Sequence, residues 1–238
     1  MEHSTKPDLH GVLVINKPRG PTSMSMVNLV RRKARKTKTG HAGTLDPLAT
    51  GVLVLGIGKM TKRLGELMET QKSYTTVIDL SANTEGHDAE TEPIPVEISK
   101  IPTEDEVVQA VLSFKGDIEQ IPPSLSAIKV GGRRAYSIVR DGGEVNIQSR
   151  KVRVHEIRVT SFSWPLVTIE ISCAKGFYVR SLARDLGKVL GTGGFCTIIH
   201  RTAVGPFTID NAIQLEQLPE WLTQQDLISQ HEVDQLLA

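Results

Sequence analysis

The chain opens with a continuous apolar run, Gly11 to Ile15 (GVLVI), which predicts a short buried strand stopped by Asn16-Lys17-Pro18. Thr22 and Ser23 are cap-type residues for a helix that starts near Met24 and presents Met26, Val27 and Val30 as its apolar face. Gly40 to Pro47 reads as a turn-rich loop and Val52 to Leu55 as a second buried strand, followed by Met60, Leu64, Leu67 and Met68 at helical spacing. From Tyr74 the period changes to two, with Tyr74, Thr76, Ile78 and Leu80 on one strand face. Ser81 to Pro102 is polar, acidic and proline-rich, hence a surface loop. Thr103-Glu104-Asp105-Glu106 is a capping box for a helix with Val107, Val108, Val111 and Leu112 inside. Val167, Ile169, Ile171 and Cys173 alternate again, and Tyr178 to Leu190 reads as a helix with Leu182, Ala183, Leu186 and Val189 on its core face. Strands and helices mix without a regular βαβ repeat, which favours an α+β fold.

Composition narrows the class. The 238 residues are 39% hydrophobic and 23% charged, enough for one large domain or two modest ones. The net charge of +1 hides an uneven distribution. Six of the eight residues from Arg31 to Lys38 are basic, whereas Gln214 to Ala238 carries five acids and no Lys or Arg. Such a basic segment suits contact with backbone phosphates, although a solvated helix face has the same composition. The N-terminus MEHSTKPDLH lacks the apolar core of a signal peptide, and no apolar run approaches the ~20 residues of a membrane helix. A cytoplasmic protein without membrane attachment is expected. Cys173 and Cys196 have no metal-ligand spacing, and the seven histidines are scattered, so no metal site is expected. Gly56-Ile57-Gly58-Lys59-Met60-Thr61 fails as a phosphate loop because Met60 stands where Ser or Thr must follow the lysine.

The segment richest in chemistry is Gly40-His41-Ala42-Gly43-Thr44-Leu45-Asp46-Pro47-Leu48-Ala49-Thr50-Gly51. One acid sits among glycines and small residues, between a basic helix and a buried strand. Pro47 restricts Asp46 to extended geometry and so directs its carboxylate. Taken alone, an Asp-Pro turn is commonplace. It does not stand alone. GHAGTLDPLATGVL resembles the catalytic loop of the TruB family of pseudouridine synthases, in which the aspartate is essential. Gly11 to Ser23 (GVLVINKPRGPTS), Lys72-Ser73-Tyr74, Phe114 to Lys129 (FKGDIEQIPPSLSAIK), Gly176 to Gly187 (GFYVRSLARDLG) and Arg201 to Phe207 (RTAVGPF) resemble further motifs of that family, in the same order.

The resemblance implies the pseudouridine-synthase fold, a mixed, mainly antiparallel sheet flanked by helices and loops. It makes Asp46 the catalytic carboxylate and Arg180 its ion-pair partner, with Asp88 a further partner of that arginine. Tyr74 would stack on the uracil and assist proton removal, Tyr178 would shape the pocket, and His41 would lie against the RNA near the base-flipping site. Lys17, Arg31, Arg32, Lys129, Arg133 and Arg201 are the basic residues expected to contact RNA. Leu125 stands where the family usually has tyrosine, His200 where a basic residue is common, and the loop around Asp88 departs from the usual Thr-Asp-Thr.

The residue types suit the reaction. Isomerising uridine breaks N1–C1′ and joins C5 to C1′, so no atoms enter or leave and no cofactor is expected. A carboxylate serves as nucleophile or base, an arginine keeps it ionised, and an aromatic face holds the detached base. The expected substrate is the T arm of tRNA at uridine 55, acted on by a monomer without guide RNA. The alternatives are an RNA-binding or tRNA-folding protein, and guide-dependent modification of rRNA. Residues 10–212 are expected to form the catalytic domain, and 213–238 a short acidic helical tail rather than a complete PUA-type RNA-binding domain.

Overall fold

The computed structural model describes residues 8–126 and 128–237. Met1 to Pro7 of the polar N-terminus, Ala127 of the Gln-x-Pro-Pro segment and the last residue of the acidic tail lie outside the described residues. In chain order the elements are β1 (Gly11–Lys17), α1 (Ser23–Lys33), β2 (Thr39–His41), β3 (Thr50–Ile57), α2 (Leu64–Glu69), β4 (Lys72–Asp79), β5 (Ala82–Asn83) and β6 (Ile94–Pro95). Then come α3 (Glu104–Leu112), β7 (Gly116–Gln120), β8 (Lys129–Val130), β9 (Arg133–Arg134), α4 (Ala135–Arg140), β10 (Arg150–Ser163) and β11 (Leu166–Cys173). α5 (Val179–Leu190), β12 (Phe195–Val204), β13 (Phe207–Thr208) and α6 (Gln230–Leu237) complete the chain. The fold is α+β and mainly antiparallel. The chain divides into two compact units, one of Met1–Ser73 with His200–Ala238 and one of Tyr74–Ile199.

In the first unit β3 is central. β1 pairs with it antiparallel from Gly11↔Ile57 to Lys17↔Gly51, β2 pairs with it through His41↔Leu55, and β12 joins it in parallel at His200↔Thr50 and Arg201↔Gly51. The β1 ladder runs two residues past the predicted stop, because Asn16 and Lys17 still find partners in Val52 and Gly51. Alternate residues of β1 enter two different cores. Leu13 and Ile15 pack with Met26, Val27, Val30, Leu218 and Leu222. Val12 and Val14 pack with Met60, Leu67, Phe207 and Val233. Burial on both faces is why the run is apolar throughout rather than alternating. The acidic tail is part of this unit. Val12 and Ile228 exchange backbone hydrogen bonds of 2.8 Å, and the Ile213 N–H donates to the Val14 carbonyl at 2.9 Å. Its helical content is α6 plus single 3-10 turns at Leu215–Gln217 and Gln224–Asp226.

In the second unit β11 pairs antiparallel with β10, and β10 with β7. β4 lies beside β11. Thr76, Ile78, Leu80, Val167, Ile169, Ile171 and Cys173 are buried, as the period of two requires. Three apolar expectations are corrected. Leu112 is 43% exposed, because it and Val108 lie on the flank of the stripe formed by Val107, Ala110 and Val111. Val189 is 59% exposed, since the last turn of α5 lines an open groove with Pro102 and Gln109. In the first unit Met68 is exposed, because a 3-10 turn over Gly58–Arg63 precedes α2 and shifts the helical phase. Among the described residues no helix is long and apolar enough to cross a membrane, and no group of His, Cys, Asp or Glu is placed to hold a metal ion.

Candidate active site

Asp46 lies on the half-buried loop between β2 and β3, flanked by Leu45 and Leu48, both anchored in the interior at 4% exposure. Side chains from distant parts of the same unit hold the loop. Ser23, the first residue of α1, donates to the Leu45 carbonyl at 2.9 Å and accepts from the Leu45 N–H at 2.8 Å. The helix is left with Thr22 as its cap, which accepts from the Ser25 N–H at 3.0 Å. The Gly20 N–H donates to the Pro47 carbonyl at 2.8 Å, and the Asp46 carbonyl accepts from Ala49 at 3.1 Å.

Two cations expected on the RNA surface are inside. Lys17 is 0% exposed, its Nζ donating to the carbonyls of Pro18 at 2.9 Å and Pro47 at 3.3 Å. Arg201 is 2% exposed, donating from Nε to the Val52 carbonyl at 2.8 Å and from Nη2 to the Gly43 carbonyl at 3.2 Å. β1 and β12 place them there because both strands pair with β3 at Gly51. Arg31 and Arg32 are exposed on the last turn of α1, where their charge also complements the helix dipole. Their neighbours Lys33 and Arg35 are engaged by the tail. Lys33 donates to the Pro219 carbonyl at 2.6 Å, and the Arg35 guanidinium lies 5.6 Å from the Trp221 ring centre. The basic run is therefore divided between the tail and the solvent. His41 is half-buried, and its imidazole is held below the ordinary range first by that burial and then by the charge of Arg201.

In the second unit Arg180 occupies the first turn of α5, 4% exposed, and pairs with the equally buried Asp88 at 3.3 Å. Its Nη1 donates to the Gly86 carbonyl at 3.1 Å and its Nη2 to the Leu125 carbonyl at 3.0 Å. Asp185 pairs with Arg184, and Glu170 with Arg158. Asp88 reaches the arginine because its backbone bridges Cys196 of β12, with Ala89 donating to the Cys196 carbonyl at 3.0 Å. A buried pair of this kind is costly to break, because either partner alone would remain charged and unsolvated.

Tyr178 caps α5 in extended conformation and is half-buried, with the Arg150 guanidinium 4.9 Å from its ring centre. Tyr74, on β4, is half-buried. Lys129 and Arg133 sit on an exposed hairpin, β8–β9, turned by Gly131 and Gly132 at positive φ, and Arg133 pairs with Asp141. A positioning residue missed in the sequence is Gln120. Almost fully buried, it donates to the Tyr178 carbonyl at 3.1 Å and accepts from the Tyr178 N–H at 2.7 Å. Its signal was present, since it heads the Gln-x-Pro-Pro motif.

The description "TruB family pseudouridylate synthase (N terminal domain)" fits residues 31–179, and "tRNA pseudouridylate synthase B C-terminal domain" fits residues 180–238. The tRNA pseudouridine synthase B of Arthrobacter sp. (strain FB24) is 46% identical over 220 residues, 90% of this chain and 72% of that protein. That of Corynebacterium diphtheriae is 44% identical over 218 residues, 88% of this chain and 72% of the relative. Among solved structures, a chain of a Cbf5-Nop10-Gar1 complex superposes with a TM-score of 0.68 at 30% identity, covering 87% of this chain and 53% of its own length. This chain thus spans about half the length of that solved protein. With a family match over more than half of its residues and relatives above 40% identity along most of their length, the chain belongs to the TruB family of pseudouridylate synthases.

Proposed function

We propose that this chain isomerises uridine to pseudouridine in tRNA, at position 55 of the T arm, without guide RNA or cofactor. The observation that carries the reading is the Asp46 loop. The backbone on either side of its lone half-buried acid is held by a Ser23 bridge, two buried cations and two inward-facing leucines, a degree of anchoring that a solvent turn does not need. Family membership supports the same reaction. The target uridine leaves its stack, N1–C1′ breaks, the base turns, C5 bonds to C1′, and the proton lost from C5 is balanced by one gained at N1. In this reading Asp46 supplies the carboxylate, as nucleophile on C1′ or as base on the sugar. Tyr74 supplies a stacking face and a proton acceptor, and Tyr178 a wall of the pocket. Arg180 supplies a charge fixed in direction by Asp88, Gly86 and Leu125. His41, Arg31, Arg32, Lys129 and Arg133 contact RNA. The enzyme acts in the cytoplasm as a monomer.

The test is to incubate purified protein with unmodified tRNA, without guide RNA or added cofactor, and assay pseudouridine at each position. Wild-type protein is expected to modify position 55. Asp46→Ala and Asp46→Asn are expected to yield no product while binding tRNA within about threefold of wild type. Product from either variant would overturn the catalytic assignment. A wild-type protein that binds and refolds tRNA without product would favour the folding reading instead.

A further inference from the structure

We infer that Arg201 is a positioning residue for the catalytic loop rather than an RNA contact, an inference that rests on the function proposed above. The guanidinium is sealed from solvent at 2% exposure, so a phosphate could meet it only by opening the core. Among the described residues its hydrogen-bond partners are three carbonyl oxygens, those of Val52 at 2.8 Å, Gly43 at 3.2 Å and Thr44 at 3.4 Å. These lie on both sides of Asp46, two on the arm that leads into it and one where β3 takes over. One rigid fork therefore ties the entry and exit of the loop to each other. An ammonium also donates to more than one carbonyl, as Lys17 does, but from a single atom; the planar guanidinium offers five N–H groups on three nitrogens at fixed angles and so sets the spacing of its acceptors.

The backbone is fitted to this contact. Gly51 pairs with Arg201 across β3 and β12 at φ +103°, and a Cβ there would fall 2.2 Å from the Arg201 carbonyl oxygen. Gly43, whose carbonyl the fork takes, is also at positive φ, with Nη1 3.6 Å from where its Cβ would stand. At Gly51 a side chain would collide with the Arg201 backbone, whereas at Gly43 there is room for one and it is the backbone angle that favours glycine. A buried guanidinium that pairs with no carboxylate among the described residues is an expensive way to fill space, and an apolar side chain would pack the same volume. The consequence the charge has here is on shape. Three carbonyls are drawn to one point, and the arms that carry Asp46 are held at a fixed separation.

The prediction separates chemistry from binding. Arg201→Lys keeps the charge and loses the fork, and Arg201→Met loses both. Single-turnover pseudouridine formation at saturating tRNA, tRNA affinity across a salt series, and Tm are measured for wild type and both variants. Displacing a reacting group by about 1 Å costs on the order of 100-fold. Arg201→Lys is therefore expected to lose at least about 10-fold in the single-turnover rate and Arg201→Met more, with tRNA Kd and its salt dependence within about twofold of wild type. Three results would overturn the inference. One is a folded lysine variant with a wild-type rate. Another is weakened binding with a shallower salt dependence and an unchanged rate, the signature of a lost phosphate contact. The third is failure of both variants to fold, which would make the residue a core element only. A wild-type enzyme inactive on tRNA would instead refute the proposed function, so the two failures are distinguishable.

Discussion

His87 sits beside the Arg180–Asp88 pair in the left-handed region, with φ of 57°. Its imidazole is pushed down to about 4, first by burial and then by the charges of Arg184 and Arg180. The unfolded chain, with an ordinary imidazole near 6.5, binds this proton more readily than the folded protein. Stability contributed by the neutral His87 is therefore fully present above pH ~6.5 and is lost as pH falls toward 4. His41 and His200 are shifted in the same direction, so acid sensitivity of the whole protein does not isolate His87. His87→Asn does, because asparagine tolerates the left-handed backbone and does not titrate. Urea unfolding at pH 7, 6 and 5 is expected to show a steeper loss for wild type than for the variant. Parallel losses would remove the assignment. The sequence could not have located this group. A histidine that directly follows Glu85-Gly86 carries no local mark of burial, and its loop departs from the usual Thr-Asp-Thr pattern of the family.

Caps and bulges decide what is readable in the elements. Both halves of the capping box before α3 are made, with Glu106 N–H donating to Thr103 Oγ1 at 3.3 Å and Thr103 N–H to Glu106 Oε2 at 2.8 Å. Thr103→Ala is expected to cost about 1 kcal/mol, read from chemical denaturation. A loss below a few tenths would mean that solvent serves this helix end equally well. Ser23 shows the contrary case. By composition it was as good a cap as Thr22, but its hydroxyl goes to Leu45, an assignment that depends on a loop 22 residues away. β10 was illegible for a different reason. Val152 and Val154 alternate, then a register shift between Val154 and Glu156 moves the next buried residue to Ile157, and a second shift follows between Val159 and Ser161. A bulge adds one residue to one strand and so inverts the facing of everything after it.

At the scale of the molecule, a net charge of +1 would give little attraction to RNA if it were evenly spread. The structure sorts the basic residues into classes. Lys17 and Arg201 are internal, Lys33 and Arg35 are taken up by the C-terminal segment, and Arg31, Arg32, Lys36 and Lys38 remain exposed. Removing Arg31 and Arg32 together is expected to weaken tRNA binding and to reduce the slope of log K against log salt by about 1–2, roughly one per lost phosphate contact. Filter binding at several salt concentrations checks this, and an unchanged slope would take both residues out of the interface.

What the chain alone determined was local or ordinal. Apolar periods located β1, β4, α3, β11 and α5 because each period reports one element's own buried face. The order of six short motifs identified the family, because an ordered series is far rarer than any of its members. What tertiary structure decided was which polar groups are inside. Nothing within Lys-Pro or His-Arg-Thr distinguishes a cation that meets RNA from one that clamps a loop, since burial is created by the strands that close over it. Arg201 became internal only when β12 ran parallel to β3 and set its side chain beneath Gly43, Thr44 and Val52.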